Sequence, residues 1–265
     1  WAQMFEDMGI HVVKIDARNK GTLKQVQTAQ QEACKEKIER DRRRGILNRP
    51  IRTMVVGIPN VGKSTFIKRF MEQMVLPGIT DENQKNRTRD ELPQSAAGKT
   101  IMTTEPKFVP KEAARIALGE DTAVQVRLVD CVGFMTEGAG GHLENEKERL
   151  VKTPWSEESI PFTMAAEIGT RKVIRDHSTI GLVITTDGSF GELERQAYIK
   201  PEETAVRELQ EIGKPFLVLL NSSRPYSEET RNLAKELETK YEVCVMPVNC
   251  EQLKPGDIYQ ILKQV

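Results

Sequence analysis

The chain has 265 residues, with 39 Lys or Arg balanced by 39 Asp or Glu, 38% hydrophobic and only 5% aromatic content. That length suits one large α/β domain, or one domain plus an extension, with a core of ordinary size, and zero net charge gives no global field toward nucleic acid or an acidic membrane. No apolar run approaches the ~18 residues of a bilayer-spanning helix, no secretory signal is present, and Cys34, Cys131, Cys244 and Cys250 lack metal-ligand spacing, so they read as reduced thiols of a cytosolic protein.

In chain order, the sequence opens at Trp1 without an initiator Met, as expected of a stretch from within a larger sequence. His11–Ile15 is a short apolar strand candidate. Thr22 to Arg44 is polar and free of Gly and Pro, which predicts a long helix ended by Gly45 and Pro50. Residues 1–52 hold 12 Lys or Arg against 7 Asp or Glu, a surplus concentrated in Lys35–Arg44. Such a run suits a solvated helix end, where cations also favour the C-terminal dipole; a contact to RNA or to an acidic protein is the alternative.

Thr53–Val56 is predicted to be a strand entering a Gly-rich loop, and Lys63–Met74 the helix leaving it, closed by Pro77-Gly78. Ala123–Val129 is a strand with alternate polar residues, and Thr163–Asp176 a helix. Leu182–Thr186 and Phe216–Leu220 are apolar enough to be buried on both faces of a parallel sheet. Ser227–Lys240 reads as a helix, Val243–Val248 as a strand and Ile258–Gln264 as a terminal helix. Residues 78–110 and 133–160 receive no assignment; stretches of that length are usually functional or mobile. Strands alternating with helices predict the α/β class, a mostly parallel sheet flanked by helices.

Gly57-Ile-Pro-Asn-Val-Gly62-Lys63-Ser64 fits G-x-x-x-x-G-K-[ST] between a strand and a helix. Its glycines let backbone N–H groups curl around phosphate oxygens, and the following helix N-terminus adds its positive dipole end. Gly57, Asn60, Val61, Gly62, Lys63, Ser64 and Thr65 are therefore candidate nucleotide-binding residues. Lys63 is placed to reach the β/γ-phosphates and Ser64 to hold Mg²⁺.

Leu128-Val129-Asp130-Cys131-Val132-Gly133 ends a strand in Asp-x-x-Gly. A carboxylate at a strand tip downstream of a phosphate loop holds Mg²⁺, which assigns Asp130, and the Gly133 N–H can sense a γ-phosphate. A plain turn is the other reading of Asp-x-x-Gly. Thr103 and Thr104, between the two motifs, are candidates to complete the Mg²⁺ shell and order a switch segment; adjacent threonines also suit a simple strand.

Strict guanine recognition uses Asn-Lys-x-Asp, whose Asp accepts from the base. Here Phe216–Leu220 leads into Asn221-Ser222-Ser223-Arg224. Arg is a donor only, so Asn221 stays a nucleotide-binding candidate while the base preference moves to ATP; reading guanine in another way is the alternative. Arg171, Lys172 and Lys99 are all open as an extra cation for the transferring phosphoryl group. His11, His142 and His177 have no partner pattern, so core or surface roles suit them better than catalysis.

From about Thr65 onward the chain resembles the stage IV sporulation protein A family, the spore-coat ATPases of endospore-forming bacteria. Phe66–Phe70, Asp90–Pro110, Arg127–Gly133, Ala166–Ile174, His177–Gly181 and Thr185–Gly188 carry the resemblance over roughly three quarters of the sequence. It implies a P-loop NTPase fold of TRAFAC-like type, with the phosphate loop, Thr103, Thr104 and Asp130 in an ATP- and Mg²⁺-dependent site. It also implies a role in a self-assembling coat platform, with a membrane-surface peptide or protein on the forespore as partner and mother-cell cytoplasm as location. The family's large middle and C-terminal assembly regions have no counterpart in these 265 residues.

Residues 1 to about 64 resemble something else. Gly9–Asp16, the basic helix and Ile51–Thr65, with Ile58-Pro59-Asn60-Val61 between the loop glycines, are similar to a circularly permuted ribosome-assembly GTPase. The chain then reads as a fusion with its crossover within Gly62–Thr65. Its division is 1–50, a permuted-GTPase-like strand and basic helix, and 51–265, the P-loop NTPase domain. Two segments, His11–Ile15 and Val243–Val248, compete for one strand position at the sheet edge. The C-terminal copy is expected to fill it, beside Phe216–Leu220, because its flanking helices come from the same family. A ribosome-assembly GTPase with a ribosomal-subunit partner, a binding scaffold with little or no hydrolysis, and a fusion without evolved function are the alternatives to an ATPase.

Overall fold

The computed structural model describes residues 51–57, 60–93, 106–117, 123–131, 133–135, 143–144, 147–154, 156–190 and 193–265. All belong to the compact unit Pro50–Val265. His11–Ile15, Thr22–Arg44, Cys34, Lys99, Thr103, Thr104 and His142 lie outside the described residues.

The central sheet has the order β10-β9-β8-β1-β3-β2. Its strands are β1 (Ile51–Gly57), β2 (Lys107–Ala117), β3 (Ala123–Asp130), β8 (Ile180–Thr186), β9 (Phe216–Asn221) and β10 (Val245–Val248). Five run parallel; β2 alone is antiparallel, pairing with β3 through a register shift between Val109 and Ala114. The short pairs β4 (Leu143–Glu144) with β5 (Lys147–Glu148), and β6 (Leu150–Thr153) with β7 (Ser156–Pro161), stand as separate ribbons. The helices are α1 (Lys63–Phe70), α2 (Glu82–Asp90), α3 (Phe162–Lys172), α4 (Arg195–Ile212), α5 (Glu228–Tyr241) and α6 (Pro255–Gln264). Single π turns, Met71–Val75 and Val173–His177, extend α1 and α3.

Alternation along the strands divides the core into two layers. Leu128, Leu182, Ile184, Leu217 and Leu219 face a cluster containing Phe66, Ile67 and Phe70 of α1 and Ile258 and Ile261 of α6. Their chain neighbours Val129, Val183, Val218 and Leu220 face the other cluster, with Val173 and Ile174, Ala205, Val206 and Leu209 of α4, and Ala234 and Leu237 of α5. Covered on both faces, β8 and β9 are buried nearly end to end, as their unbroken apolar runs predict.

β10 pairs in parallel with β9, Val248 opposite Asn221, so the C-terminal segment fills the predicted edge position. It starts at Val245, two residues later than expected, because α5 runs to Tyr241 and Glu242 caps it in the left-handed region at φ 55°. The ribbons β4–β5 and β6–β7 fall in a stretch without assignment, and three larger elements also depart from the expectation. α2 lies in the unassigned stretch; it is polar all round with Thr88 its one buried residue, and Asp81 caps it by accepting from the Gln84 N–H at 2.7 Å. β2 carries Pro110, Lys111 and Glu112 where a bulge interrupts the ladder. α4 contains Pro201, a residue that removes one helical hydrogen bond, yet Pro201 is buried and the helix continues to its Gly213 cap.

Candidate functional site

β1 and α1 frame the phosphate loop. Gly62 precedes α1 at φ 99°, and Asn60 stands at φ 65°. Both belong to the left-handed region that non-glycine residues seldom adopt. A Cβ on Gly62 would lie 2.6 Å from Asn221 Nδ2, so the glycine answers both a conformational and a spatial need. The Phe66 N–H donates to the Gly62 carbonyl at 2.9 Å, closing the first turn of α1. Val61 is fully buried, which leaves its backbone as its polar contribution; Ser64 and Thr65 are half-buried in the first turn. Lys63 is 8% exposed. Burial pulls its ammonium pKa down, and the nearby Cys131 and Asp130 act to raise it.

Asp130 reaches the same region from β3, in parallel register with Val55. Burial pushes its carboxyl above the ordinary range, and Lys63 and Lys107 hold it down. Lys107 sits directly across the antiparallel β2–β3 pair from Asp130. Its contribution was not read from the sequence; only the strand register reveals it.

Beyond Asp130 the chain is tied inward. The Cys131 thiol donates to the Val55 carbonyl at 3.4 Å, and burial pushes its pKa up to about 12. The Gly133 N–H, expected to face a γ-phosphate, donates to Thr170 Oγ1 of α3 at 3.2 Å. Thr170 is a second residue that the motif reading missed: it is distant in sequence, on a helix recognisable only as helix.

Asn221 sits at the tip of β9, 2% exposed. Its Nδ2 donates to the Val61 carbonyl at 2.9 Å, and its Oδ1 accepts from the Cys250 N–H at 3.0 Å. It therefore braces the phosphate loop against the end of β10. Arg224 is exposed and lies 3.7 Å from Glu229, while its N–H donates to Ser222 Oγ at 3.0 Å. The acceptor of a guanine-reading motif is thus replaced by a surface cation. At the tip of β8, burial acts to raise the Asp187 pKa. Hydrogen bonds from Ser189, Ser222 and Thr230 outweigh it and hold the carboxyl below its ordinary range.

Of the three cations considered for the transition state, Arg171 is engaged by Glu208 at 2.7 Å and Glu167 at 3.5 Å. Lys172 is exposed, and Lys99 lies outside the described residues. His177 is exposed and meets Phe108 edge-on at 5.9 Å.

Among the described residues no cluster of three or more His, Cys, Asp or Glu could hold a metal by itself. Ser64 and Asp130 offer a hydroxyl and a carboxylate, hard oxygen donors that suit Mg²⁺, an ion that keeps waters and binds through one or two protein oxygens plus substrate phosphates. Among the described residues no helix is long and apolar enough to cross a membrane.

A family model described as stage IV sporulation protein A, ATPase domain, matches residues 41–265. The stage IV sporulation protein A of Clostridioides difficile (strain 630) is 54% identical over 211 residues, covering 80% of this chain and 43% of that protein. The Bacillus subtilis (strain 168) protein of the same name is 52% identical over 210 residues, covering 79% and 43%. Ribosome biogenesis GTPase A of Bacillus licheniformis is 32% identical over 183 residues, covering 65% of this chain and 62% of that protein. The chain spans less than half the length of the sporulation relatives that it matches.

Proposed function

The chain belongs to the stage IV sporulation protein A ATPase-domain family, and from that premise we propose that it binds ATP with Mg²⁺ and hydrolyses it to ADP and phosphate. The observation that carries the reading is Lys63, buried in the first turn of α1 after a left-handed Gly62 and coupled electrostatically to Asp130 at the tip of the neighbouring strand β3. The loop amides and the start of α1 cradle the phosphates, and Lys63 neutralises the β/γ-bridging charge. Ser64 and Asp130, with Thr103 or Thr104, hold the ion. When bound, Mg²⁺ supplies charge neutralisation at the γ-phosphate. Positioning and charge neutralisation are what phosphoryl transfer mainly requires, so no covalent role is assigned to any side chain.

ATP is favoured over GTP because Arg224 is exposed and offers only donors at the position where guanine recognition needs an acceptor. The similarity to ribosome biogenesis GTPase A favours a second reading, GTP hydrolysis linked to a ribosomal subunit. In the first reading, the working context is a coat platform at the forespore surface, with self-association and a membrane-surface peptide or protein as partner. Turnover of ATP and GTP with Mg²⁺, measured beside Lys63→Ala and Asp130→Ala, tests both. ATP turnover is expected to exceed GTP turnover and to fall at least about a hundredfold in each variant. Equal or faster GTP turnover would sink the ATPase reading; no turnover of either would leave a binding scaffold.

A further inference from the structure

We propose that Thr170 is a positioning residue that holds the Gly133 N–H in the absence of a γ-phosphate, and so sets how strongly the site prefers a triphosphate to a diphosphate. The proposal rests on the ATP-binding reading above.

Thr170 is completely buried in α3, and Gly133 is also buried, at φ 88°. The Gly133 N–H donates to Thr170 Oγ1 at 3.2 Å. Two residues before Gly133, the Cys131 thiol donates to the Val55 carbonyl at 3.4 Å. Two hydrogen bonds therefore tie the chain beyond Asp130 to its surroundings: Gly133 to α3, and Cys131 to β1 just ahead of the phosphate loop. Lys63 acts electrostatically on both Asp130 and Cys131, which places the phosphate-binding ammonium at this turn.

The Gly133 N–H thus has two claimants. A threonine hydroxyl is a neutral acceptor, whereas a γ-phosphate oxygen is charged, and charge-assisted hydrogen bonds are roughly twice as strong. A triphosphate takes the N–H from Thr170. A diphosphate offers no competitor, so the threonine keeps it. In Thr170→Val, which preserves shape, the N–H loses this acceptor when no γ-phosphate is present. The apo and diphosphate states then lose a hydrogen bond that the triphosphate state never used.

Calorimetric titration of the whole chain with Mg-ADP and with a non-hydrolysable Mg-ATP analogue tests this. The ratio of analogue to ADP affinity is expected to rise about fivefold in Thr170→Val, the equivalent of one ordinary hydrogen bond, and to return to the wild-type ratio in Thr170→Ser. A role in packing alone would change both affinities together and leave the ratio fixed. The wild-type Gly133 amide resonance, which needs no variant to fold, is expected to move between the ADP and analogue complexes. An unchanged ratio in a folded Thr170→Val, or an amide that does not respond to the γ-phosphate, overturns the proposal while leaving ATP binding intact. Failure of the wild type to bind either nucleotide overturns the ATP reading, and this proposal with it.

Discussion

Asn221 shows how a residue chosen for one reason can serve another. Its place at the tip of β9 marks it as a nucleotide-binding candidate, yet its amide is engaged by Val61 and Cys250. Asn221→Ala would leave a buried carbonyl and a buried N–H unpaired, so a loss of about 2–3 kcal/mol is expected in urea unfolding. Gly62→Ala faces the same amide, 2.6 Å from the new Cβ, with a left-handed backbone besides. ATP affinity in that variant is expected to fall at least about tenfold, the effect of 1.4 kcal/mol. Asp187 gives a pH signature. Its folded pKa is depressed, so it contributes stability above the unfolded value of about 3.9 that is lost as pH falls through the folded value. Asp187→Asn is therefore expected to be about 1 kcal/mol less stable than wild type near neutral pH, after allowance for partial solvent screening. Chemical unfolding should show that gap closing below about pH 4. The phosphate loop and Asp130 are legible in the sequence because local spacing fixes them. Lys107 and Thr170 are not, since only strand register and helix packing bring them to the site.

At the level of elements, legibility followed burial. β8 and β9 are buried on both faces and show as apolar runs; α2 buries only Thr88 and leaves no periodic signal. Nor does α4 read simply, because it carries Pro201 and a buried charge, Glu202, in its interior. The structure explains the charge. Glu202 takes both terminal guanidinium nitrogens of Arg195, at 2.7 and 2.8 Å, the Tyr241 hydroxyl at 2.6 Å and the Thr185 hydroxyl. These contacts join α4 to β8 and α5, and push the Tyr241 pKa well up, through burial first and then the carboxylate. Removing one partner of a buried pair leaves the other charge uncompensated, so Glu202→Ala is expected to cost about 3–5 kcal/mol in denaturant unfolding. Gly181 is the complementary case. A Cβ there would meet Phe216 Cβ at 3.0 Å and Leu209 Cδ2 at 3.2 Å, so a glycine lets α4 lie close on β8. For Gly181→Val an overpacking cost of about 1–3 kcal/mol is expected by the same measurement.

In the described unit, the order β10-β9-β8-β1-β3-β2 puts β1 between β3, which ends in Asp130, and β8, which leads into Asp187, with the loops at the carboxyl ends where parallel α/β sheets bind ligands. The competition for the edge beside β9 is settled for Val245–Val248; His11–Ile15 lies outside the described residues. Pro50–Val265 is expected to unfold cooperatively as a separate polypeptide and to bind Mg-ATP, which calorimetry on that piece would check.

The brace at Asn221 also has a consequence in time. Its bond to Val61 spans 160 residues, and its other partner is Cys250. Both neighbours of β1, β3 and β8, likewise come later in the chain. A ribosome making this protein therefore finishes the phosphate loop before any of these partners exists. At ordinary elongation rates the delay between Val61 and Cys250 is about 10–40 s. Throughout it the Gly-rich segment lacks the complete Asn221 brace. The brace is complete only near the end of synthesis, and a chain interrupted before Cys250 carries the whole motif without that support.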